Sequence, residues 1–193
     1  MTTWTEAKIA RHIGSQTLSR KCLVLVDNCN WTGYECDVLA VTQDLRIIDI
    51  EVKISRGDAR ADAYKDKWWI TQGWGHYTED LGVRRHVLPT RTHRDWPPKV
   101  WKHYYAMPAD IWTPDLIPKL ASPASGILLL SERNGRVSVK CQRRSTPNRD
   151  ATKISAAHAL DIARLANLRM WAAYDRAETL AAKLAAHHEA QAA

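Results

Sequence analysis

The chain has 193 residues, of which 45% are hydrophobic, and it carries a formal net charge of +7 with a pI near 9.4. This length and hydrophobic fraction suit one domain with a substantial core, and the basic balance favours a polyanionic partner such as nucleic acid. Four cysteines occur without a C-x-x-C pair, which argues against a zinc site and is typical of reduced thiols. The N-terminus lacks an apolar signal segment and the aliphatic runs are too short to span a bilayer, so we expect a cytoplasmic protein away from membranes.

A helix and a strand are the first elements predicted along the chain. Thr3 or Thr5 can cap the helix, and Glu6 would lie in its first turn. The inner face of the helix should carry Ile9, Ile13 and Leu18. A strand is predicted over 22–27.

A β-hairpin with charges at unusual places is predicted next. In its second strand Ile48, Ile50, Val52 and Ile54 alternate with Asp49, Glu51 and Lys53. A strand has a period of two residues, so the aliphatic side chains should share one face and the three charges the other. With a three-residue loop at 43–45, Asp37 lies directly opposite Glu51, with Cβ atoms about 4.5–5.5 Å apart. A two-residue turn would put the two carboxylates on opposite faces.

Asp37, Glu51 and Lys53 form a pattern suited to cutting a phosphodiester bond. Two opposed carboxylates can share one Mg²⁺ at roughly 2.0–2.1 Å per bond. Such an ion neutralises charge in the transition state, helps the departing oxygen and acidifies the attacking water. Lys53 would orient the water or donate to the phosphate. The alternative is a solvated strand face whose charges form only a weak surface pair.

A helix is predicted over 58–70, and the stretch 71–102 that follows is the least regular part of the chain. It mixes glycine and proline with tryptophan and with basic residues, namely Arg84, Arg85, Arg91, Arg94, Lys99 and Lys102. Basic residues interleaved with aromatics can follow a phosphate backbone and stack on exposed bases, so a DNA-facing lid or wedge is one interpretation. The other is a surface excursion held by buried tryptophans. The irregularly spaced histidines of this stretch favour hydrogen-bonded or solvated side chains over a second metal site.

Three further strands and a long terminal helix complete the predicted fold. The strands are expected over 103–107, 127–131 and 136–141, and Asn134-Gly135 is a strong hairpin signal between the last two. A helix rich in Ala and Arg is expected over 150–190, with Ile154, Ala157, Ile162, Leu165, Leu168 and Trp171 on its inner stripe. An unbroken helix would reach about 60 Å, so it should break, fray or overhang beyond Tyr174. We therefore expect a single α/β domain over 1–193, with its core over 1–145.

Several segments together carry a family resemblance. They are Asp37-Val-Leu-Ala40, Ile50-Glu-Val-Lys-Ile-Ser-Arg56, Asp58, Asp66-Lys-Trp68, Tyr104-Tyr-Ala-Met-Pro108 and Gly126-Ile-Leu-Leu-Leu130. In these segments the chain resembles the PD-(D/E)XK nuclease superfamily, and within it the MmcB-like group associated with DNA repair. Three features depart from that pattern. Cys36 stands in the place of the proline of the superfamily name, Gly33-Tyr-Glu-Cys36 stands where the family has an Arg-rich step, and the stretch between Trp68 and Tyr104 is longer.

The resemblance implies a restriction-endonuclease-like core in the order helix, three strands, helix, strand. It also implies a Mg²⁺-dependent DNA nuclease, with Mn²⁺ as a substitute ion, acting in DNA repair, recombination or a phage-related role. Asp37, Glu51 and Lys53 would be the catalytic residues, and Asp37 and Glu51 would bind the metal. Some members add a glutamate from the first helix, so Glu6 is a further candidate ligand. The alternative is that Glu6 only stabilises the helix N-terminus through the macrodipole, by about 0.3–1 kcal/mol.

DNA is the partner that this interpretation requires. The residues expected to contact it are Arg56, Arg60, Lys67, Arg84, Arg85, Arg143 and Arg144. Two other functions stay open: a non-catalytic DNA-binding module on the same fold, and a structural partner protein that uses the Ala-rich helix. The intact set of Asp37, Glu51 and Lys53 favours the enzyme, because a binding module has no need of a lysine two residues after a metal-binding glutamate.

Overall fold

A six-stranded mixed sheet forms the centre of the computed structural model, which describes residues 3–80 and 83–192. In chain order the elements are α1 (Glu6–His12), a π-helical turn (Ile13–Leu18), β1 (Cys22–Cys29), β2 (Cys36–Thr42), β3 (Ile47–Val52), α2 (Arg56–Ala61), two 3₁₀ turns (Asp62–Tyr64 and Asp66–Trp68), β4 (Trp69–Gln72), β5 (His76–Asp80), β6 (Val83–Val87), β7 (Thr90–His93), β8 (Val100–Pro108), a 3₁₀ segment (Pro114–Lys119), β9 (Gly126–Arg133), β10 (Arg136–Arg143) and α3 (Ala156–Ala192). The sheet has the order β1-β2-β3-β8-β9-β10, with β8 parallel to both of its neighbours and the other pairs antiparallel. The fold is therefore mixed α/β with a long C-terminal helix, and the predicted order of helix, three strands, helix and strand is present.

The register of the β2–β3 hairpin is the one that a three-residue loop requires. Thr42 N donates to Arg46 O at 2.9 Å, and Val38 pairs with Ile50 further along the ladder. Continuing that register by one position places Asp37 opposite Glu51, which confirms the prediction. Leu45 closes the loop at a φ of 58°, and its amide donates to Thr42 O.

Each face of the sheet has its own cover. On one face, Ile9 and Ile13 pack against residues of β2 and β3 such as Val38 and Ile50. On the other face, the start of α3 packs over β1 and β2, while the segment after α2 and the 3₁₀ segment pack over β8 and β9. β3 lies between β2 and β8. Its charged side chains therefore lie between the hydrophobic cluster under α3, over β1 and β2, and the hydrophobic cluster over β8 and β9.

The helix predicted over 58–70 is wrong in its extent. The α-helix ends at Ala61 and gives way to two 3₁₀ turns separated by the extended backbone of Lys65, with φ −65° and ψ 141°. Trp69 already belongs to β4. The segment contains neither Gly nor Pro, so propensity alone did not reveal this break, and buried contacts of Asp62 and Trp68 accompany it.

The stretch predicted to be irregular forms two successive antiparallel ladders. In the inner ladder β4 pairs with β7, and Trp69 and His93 form the pair nearest the main sheet in sequence. In the outer ladder β5 pairs with β6. We call residues 69–93 the β-arm. Gly73, with a φ of 80°, lies in the bend that separates the two ladders.

α3 runs without a break from Ala156 to Ala192 and overhangs the sheet. Of the predicted outcomes of breaking, fraying or overhanging, the structure has the overhang. Ile154 and Ile162 are buried as expected, but Ala157, Leu168 and Trp171 are exposed, so the predicted inner stripe is wrong at these three positions. Ala159 is buried in their place because it faces β1 and β2. Within the described part of the chain, no helix combines the length and apolar character needed to cross a membrane.

Candidate active site

The charged face of β3 is covered by protein rather than by water. Asp49 and Glu51 are each 1% exposed, and Lys53, directly after the strand, is 2% exposed. The weak surface pair considered as an alternative is therefore wrong for these residues. The parallel neighbour β8 contributes to the cover by placing Tyr105 beside Glu51.

Glu51 is surrounded by three lysine ammonium groups. Its Oε2 atom lies 3.2 Å from Lys53 Nζ and 3.1 Å from Lys65 Nζ, and its Oε1 atom accepts a hydrogen bond from Lys67. Although burial alone raises the pKa of Glu51, Lys67 and Lys53 together lower it below its usual value. Glu51 is therefore held as a carboxylate inside the protein.

Asp62 is a second buried carboxylate in the same cluster. Its Oδ1 atom lies 3.1 Å from both Lys53 Nζ and Lys65 Nζ. Its Oδ2 atom accepts hydrogen bonds from Trp68 Nε1 at 3.0 Å and from the Tyr105 hydroxyl at 2.7 Å. Burial raises its pKa, but Lys67 and Lys53 outweigh this effect and the pKa is strongly lowered.

Local structure explains how the two later lysines reach Glu51. Ser55 caps α2 by accepting a hydrogen bond from Asp58 N at 3.1 Å, which starts the helix directly after Lys53. The 3₁₀ turns then bring Lys65 and Lys67 back over the end of β3. Sequence reasoning missed Asp62 and Lys65. The signal available was the pair of lysines on either side of Asp66, a residue that itself is exposed.

Asp37 lies at the accessible edge of the cluster. Its side chain is half-buried, and Oδ2 accepts a hydrogen bond from Val52 N at 2.6 Å. Burial, followed by the nearby charge of Glu51, raises the pKa of Asp37 to about 6, while the Val52 amide acts in the opposite direction. Asp37 can therefore exchange a proton near neutral pH.

Asp49 and His103 form a second buried pair near Glu51, and each has a polar atom without a hydrogen-bond partner among the described residues. Burial raises the pKa of Asp49 to about 7 against the opposing charge of Lys67, and burial with Lys67 lowers the pKa of His103 to about 3. His103 Nε2 lies 3.9 Å from Asp49 Oδ2, and its Nδ1 atom lies 2.9 Å from Ser125 Oγ. Within residues 3–80 and 83–192, Asp49 Oδ1 and His103 Nε2 are buried without a hydrogen-bond partner.

Glu6 is not among the residues that the structure brings together at Glu51. It is exposed in the first turn of α1, and its side chain makes no hydrogen bond or ion pair with any described residue. α1 packs against Val38 and Ile50, which alternate with Asp37 and Glu51 and therefore face the other side of the sheet. This position matches the helix-end role proposed for Glu6 as the alternative.

Three of the basic residues predicted to contact DNA are engaged inside the protein. Lys67 is buried against Glu51 and lies 3.8 Å from Asp49, so it is a member of the cluster and not a surface contact. Arg56 Nε donates to Ile111 O at 2.8 Å, and Arg56 Nη2 donates to the Thr113 hydroxyl at 2.9 Å. Arg143 donates to Pro123 O. These contacts give Arg56 and Arg143 structural roles that hold loops.

The other predicted DNA contacts come from different elements of the fold. Arg60 is exposed at the end of α2, Arg144 is exposed after β10, and Arg84 is exposed on the β-arm. The side chain of Arg85 lies outside the described part of the chain, although its backbone pairs with Thr78.

The site offers few side chains that can bind a metal ion. No group of three or more His, Cys, Asp or Glu side chains able to hold a metal occurs in the parts of the chain that are described. Mg²⁺ is nonetheless commonly bound by one or two carboxylates, with water and substrate phosphate completing its shell. Asp37 and Glu51 supply two carboxylates of that kind, but lysines already occupy the oxygens of Glu51.

The chain matches no protein-family model and no curated protein sequence. Among solved structures it is similar to the SPO1766 protein of unknown function from Silicibacter pomeroyi. That comparison has a TM-score of 0.47 and a sequence identity of 16%, and it covers 93% of each chain.

The buried Asp49 leads to a prediction about pH. Asp49→Asn is expected to gain stability relative to the wild type as the pH rises from about 4 to about 8. Because the pKa of Asp49 is raised to about 7, the folded state binds this proton more tightly than the unfolded chain does. The resulting stabilisation is complete below the unfolded pKa of about 3.9 and is lost as the pH rises through the folded pKa. Asparagine cannot ionise and lacks that loss.

Urea unfolding of both proteins across this pH range measures the effect of Asp49→Asn. Asp44→Asn, in the exposed loop of the same hairpin, is the matched control and should follow the wild type at every pH. A stability difference between Asp49→Asn and wild type that stays constant with pH would contradict the prediction.

Proposed function

We propose that this protein is a Mg²⁺-dependent DNA nuclease on a PD-(D/E)XK core, acting in DNA repair, recombination or a phage-related process. The observation that carries the proposal is the burial of Glu51 and Lys53 at the end of β3, next to the half-buried Asp37. Burying charged groups carries a large desolvation cost, and strongly shifted pKa values cluster at functional sites. A pair kept only for solubility would stay in water, where its energetic value is small.

The members of the cluster differ in how they can meet a substrate. Asp37 lies at the accessible edge, where its carboxylate can meet a metal ion or a substrate that enters from solvent. Lys53 and Lys67 are buried, so they set the electrostatic potential of the site from within. Lys65, whose side chain is 49% exposed, is the lysine of the cluster that can reach a phosphate oxygen.

The donor chemistry of Asp37 and Glu51 fits Mg²⁺, which prefers hard oxygen ligands and keeps several waters. When bound, the ion would neutralise phosphate charge and acidify a water molecule. Glu51 can turn an oxygen towards a metal only if an ammonium group moves away. Lys65 can make that move, because half of its side chain already lies in solvent.

A cleavage assay with the purified protein tests the proposal. The substrates are single-stranded, duplex and branched DNAs of matched sequence, each with Mg²⁺, with Mn²⁺ or with EDTA. Cleavage of at least one substrate is expected with either ion and none with EDTA, because the two carboxylates act through the metal. Equal cleavage in EDTA, or a lack of cleavage of every substrate, would contradict the proposal.

A second function is favoured by a different observation. The three buried carboxylates Asp49, Glu51 and Asp62 are matched by Lys53, Lys65 and Lys67, so the cluster can be neutral without a metal ion. On this basis the alternative is a non-catalytic DNA-binding module on the same fold. DNA binding that is unaffected by Mg²⁺, together with no cleavage in the assay above, would favour this alternative.

A further inference from the structure

The β-arm is attached directly to the charged cluster. Lys65 and Lys67, which both contact Glu51, flank Asp66, and Asp66 pairs with Arg91 of the arm at 2.7 Å. The amide of Arg94, directly after the arm, donates to Trp68 O at 2.9 Å. Whatever binds along the base of the arm therefore lies within a few residues of the lysines that hold Glu51.

The arm exposes large aromatic side chains. Trp74, in the bend between the two ladders, is 91% exposed, and Tyr77, on the outer ladder, is 61% exposed. Leu88, between β6 and β7, is also exposed. Aromatic side chains normally bury most of their area, and grouped exposed apolar residues mark interaction surfaces. The exposed area of these side chains therefore gives the β-arm a surface that a ligand can contact.

Arginine side chains lie over two of the aromatic rings. The guanidinium carbon of Arg84 is 4.3 Å from the centroid of the Tyr77 ring, and that of Arg91 is 5.1 Å from the Trp69 ring. One such pair belongs to the outer ladder and the other to the inner ladder. Positive charge is therefore spaced along the same element that carries the exposed rings.

This combination matches one class of ligand better than others. Aromatic rings stack on unpaired bases of any sequence, and adjacent arginines contact the phosphates that link those bases. A blunt duplex hides its base faces, so it would use only the arginines. The exposed rings would have no function in an interaction with duplex DNA alone.

We propose that the β-arm binds an unpaired nucleic-acid strand, by stacking bases on Trp74 and Tyr77 while Arg84 and Arg91 contact its phosphates. The inference rests on the proposed function in one respect, because it assigns to the nuclease a substrate with a single-stranded segment. The arm would hold that segment beside the site at Asp37.

The experiment measures affinity without cleavage. A dye-labelled single strand of about 20 nucleotides, long enough for a typical single-strand binding site, and a blunt duplex of the same sequence are titrated in EDTA by fluorescence anisotropy. The test variant is Trp74→Ala with Tyr77→Ala. The matched control is Trp171→Ala with Tyr174→Ala, an exposed aromatic pair on α3 whose rings are 5.8 Å apart. A third variant, Trp74→Phe with Tyr77→Phe, keeps the rings.

The arm variant is expected to lose about tenfold or more in affinity for the single strand, since stacking contributes substantially for each base. Its affinity for the duplex should change by less than about twofold, because no base is free to stack. The α3 control and the phenylalanine variant should bind the single strand as the wild type does.

Several results would overturn the inference. They are an unchanged single-strand affinity of the arm variant, an equal loss for duplex and single strand, and an equal loss in the α3 control. A change of oligomeric state in the arm variant, seen by sedimentation, would show that the arm joins two copies of the chain, and would overturn it too. Binding is measured in EDTA, so a protein that never cleaves DNA can still bind the single strand as expected. Failure of the nuclease proposal would be seen in the cleavage assay and not in this one.

Discussion

Glu51→Gln is expected to lower the free energy of unfolding by about 3–5 kcal/mol, the usual cost of removing one partner from a buried ion pair. Three ammonium groups lie around this carboxylate, and two of them, on Lys53 and Lys67, are buried with it. A neutral amide leaves Asp49 and Asp62 to balance three lysines, so one ammonium charge of the cluster loses its partner. Equilibrium unfolding in urea, read as a shift of the midpoint at constant slope, measures the loss.

Two further variants sharpen the test of Glu51. Asp115→Asn breaks an exposed pair with Lys119 and should leave the urea midpoint nearly unchanged. Adding Lys67→Met to Glu51→Gln should recover part of the loss, because it removes one buried charge with little change of volume. A loss from Glu51→Gln no greater than that from Asp115→Asn would mean that the cluster is solvated, against the burial observed here.

Asp37→Asn is expected to reduce Mg²⁺-dependent DNA cleavage by about 10²-fold or more, because the ion would lose one of its two carboxylate ligands. The side chain keeps its shape, and its amide oxygen can still accept the hydrogen bond from Val52 N. Because the pKa of Asp37 is raised to about 6, the charged form is disfavoured in the folded protein. Removing that charge should therefore leave stability at pH 7 unchanged or slightly higher.

The cleavage rate and the urea midpoint of Asp37→Asn are measured on the same preparation. Asp44→Asn, in the exposed loop at the other end of the hairpin, is the control and should match the wild type in both. Lys53 offers no comparable separation of activity from stability, since its loss would remove one buried ammonium group from both Glu51 and Asp62. Full activity of Asp37→Asn would remove the hairpin from any catalytic role.

Glu51→Gln and Asp37→Asn should affect stability differently because the two residues occupy different places in the cluster. Glu51 lies inside the cluster, where its charge supports both folding and the proposed chemistry, so both properties should fall together. Asp37 lies at the edge, where its charge costs stability and would serve only the chemistry. Stability loss in one variant and activity loss alone in the other would therefore distinguish a functional edge from a structural centre.

The β2–β3 hairpin shows how much of the site is local in origin. Alternation at 48–54 assigned the charges to one face, and the three-residue loop set the pairing of Asp37 with Glu51. Both depend on contacts between residues close in the chain, where strand periodicity and turn length leave few choices. The terminal helix and the hairpin at Asn134-Gly135 were predictable for the same reason.

The sequence by itself thus determined the strand faces and limited the hairpin to two registers, of which the structure has the one that opposes Asp37 and Glu51. Only the tertiary structure decided that this charged face is buried, because a period of two is the same whether water or protein covers the strand. It also decided that Asp62, Lys65 and Lys67 converge on Glu51, since they come from non-repeating 3₁₀ turns that leave no periodic signal. The position of His103 behind Asp49 depends likewise on the parallel pairing of β3 with β8, a contact between residues more than fifty positions apart. Long-range packing, and not local propensity, therefore assembled the centre of the site.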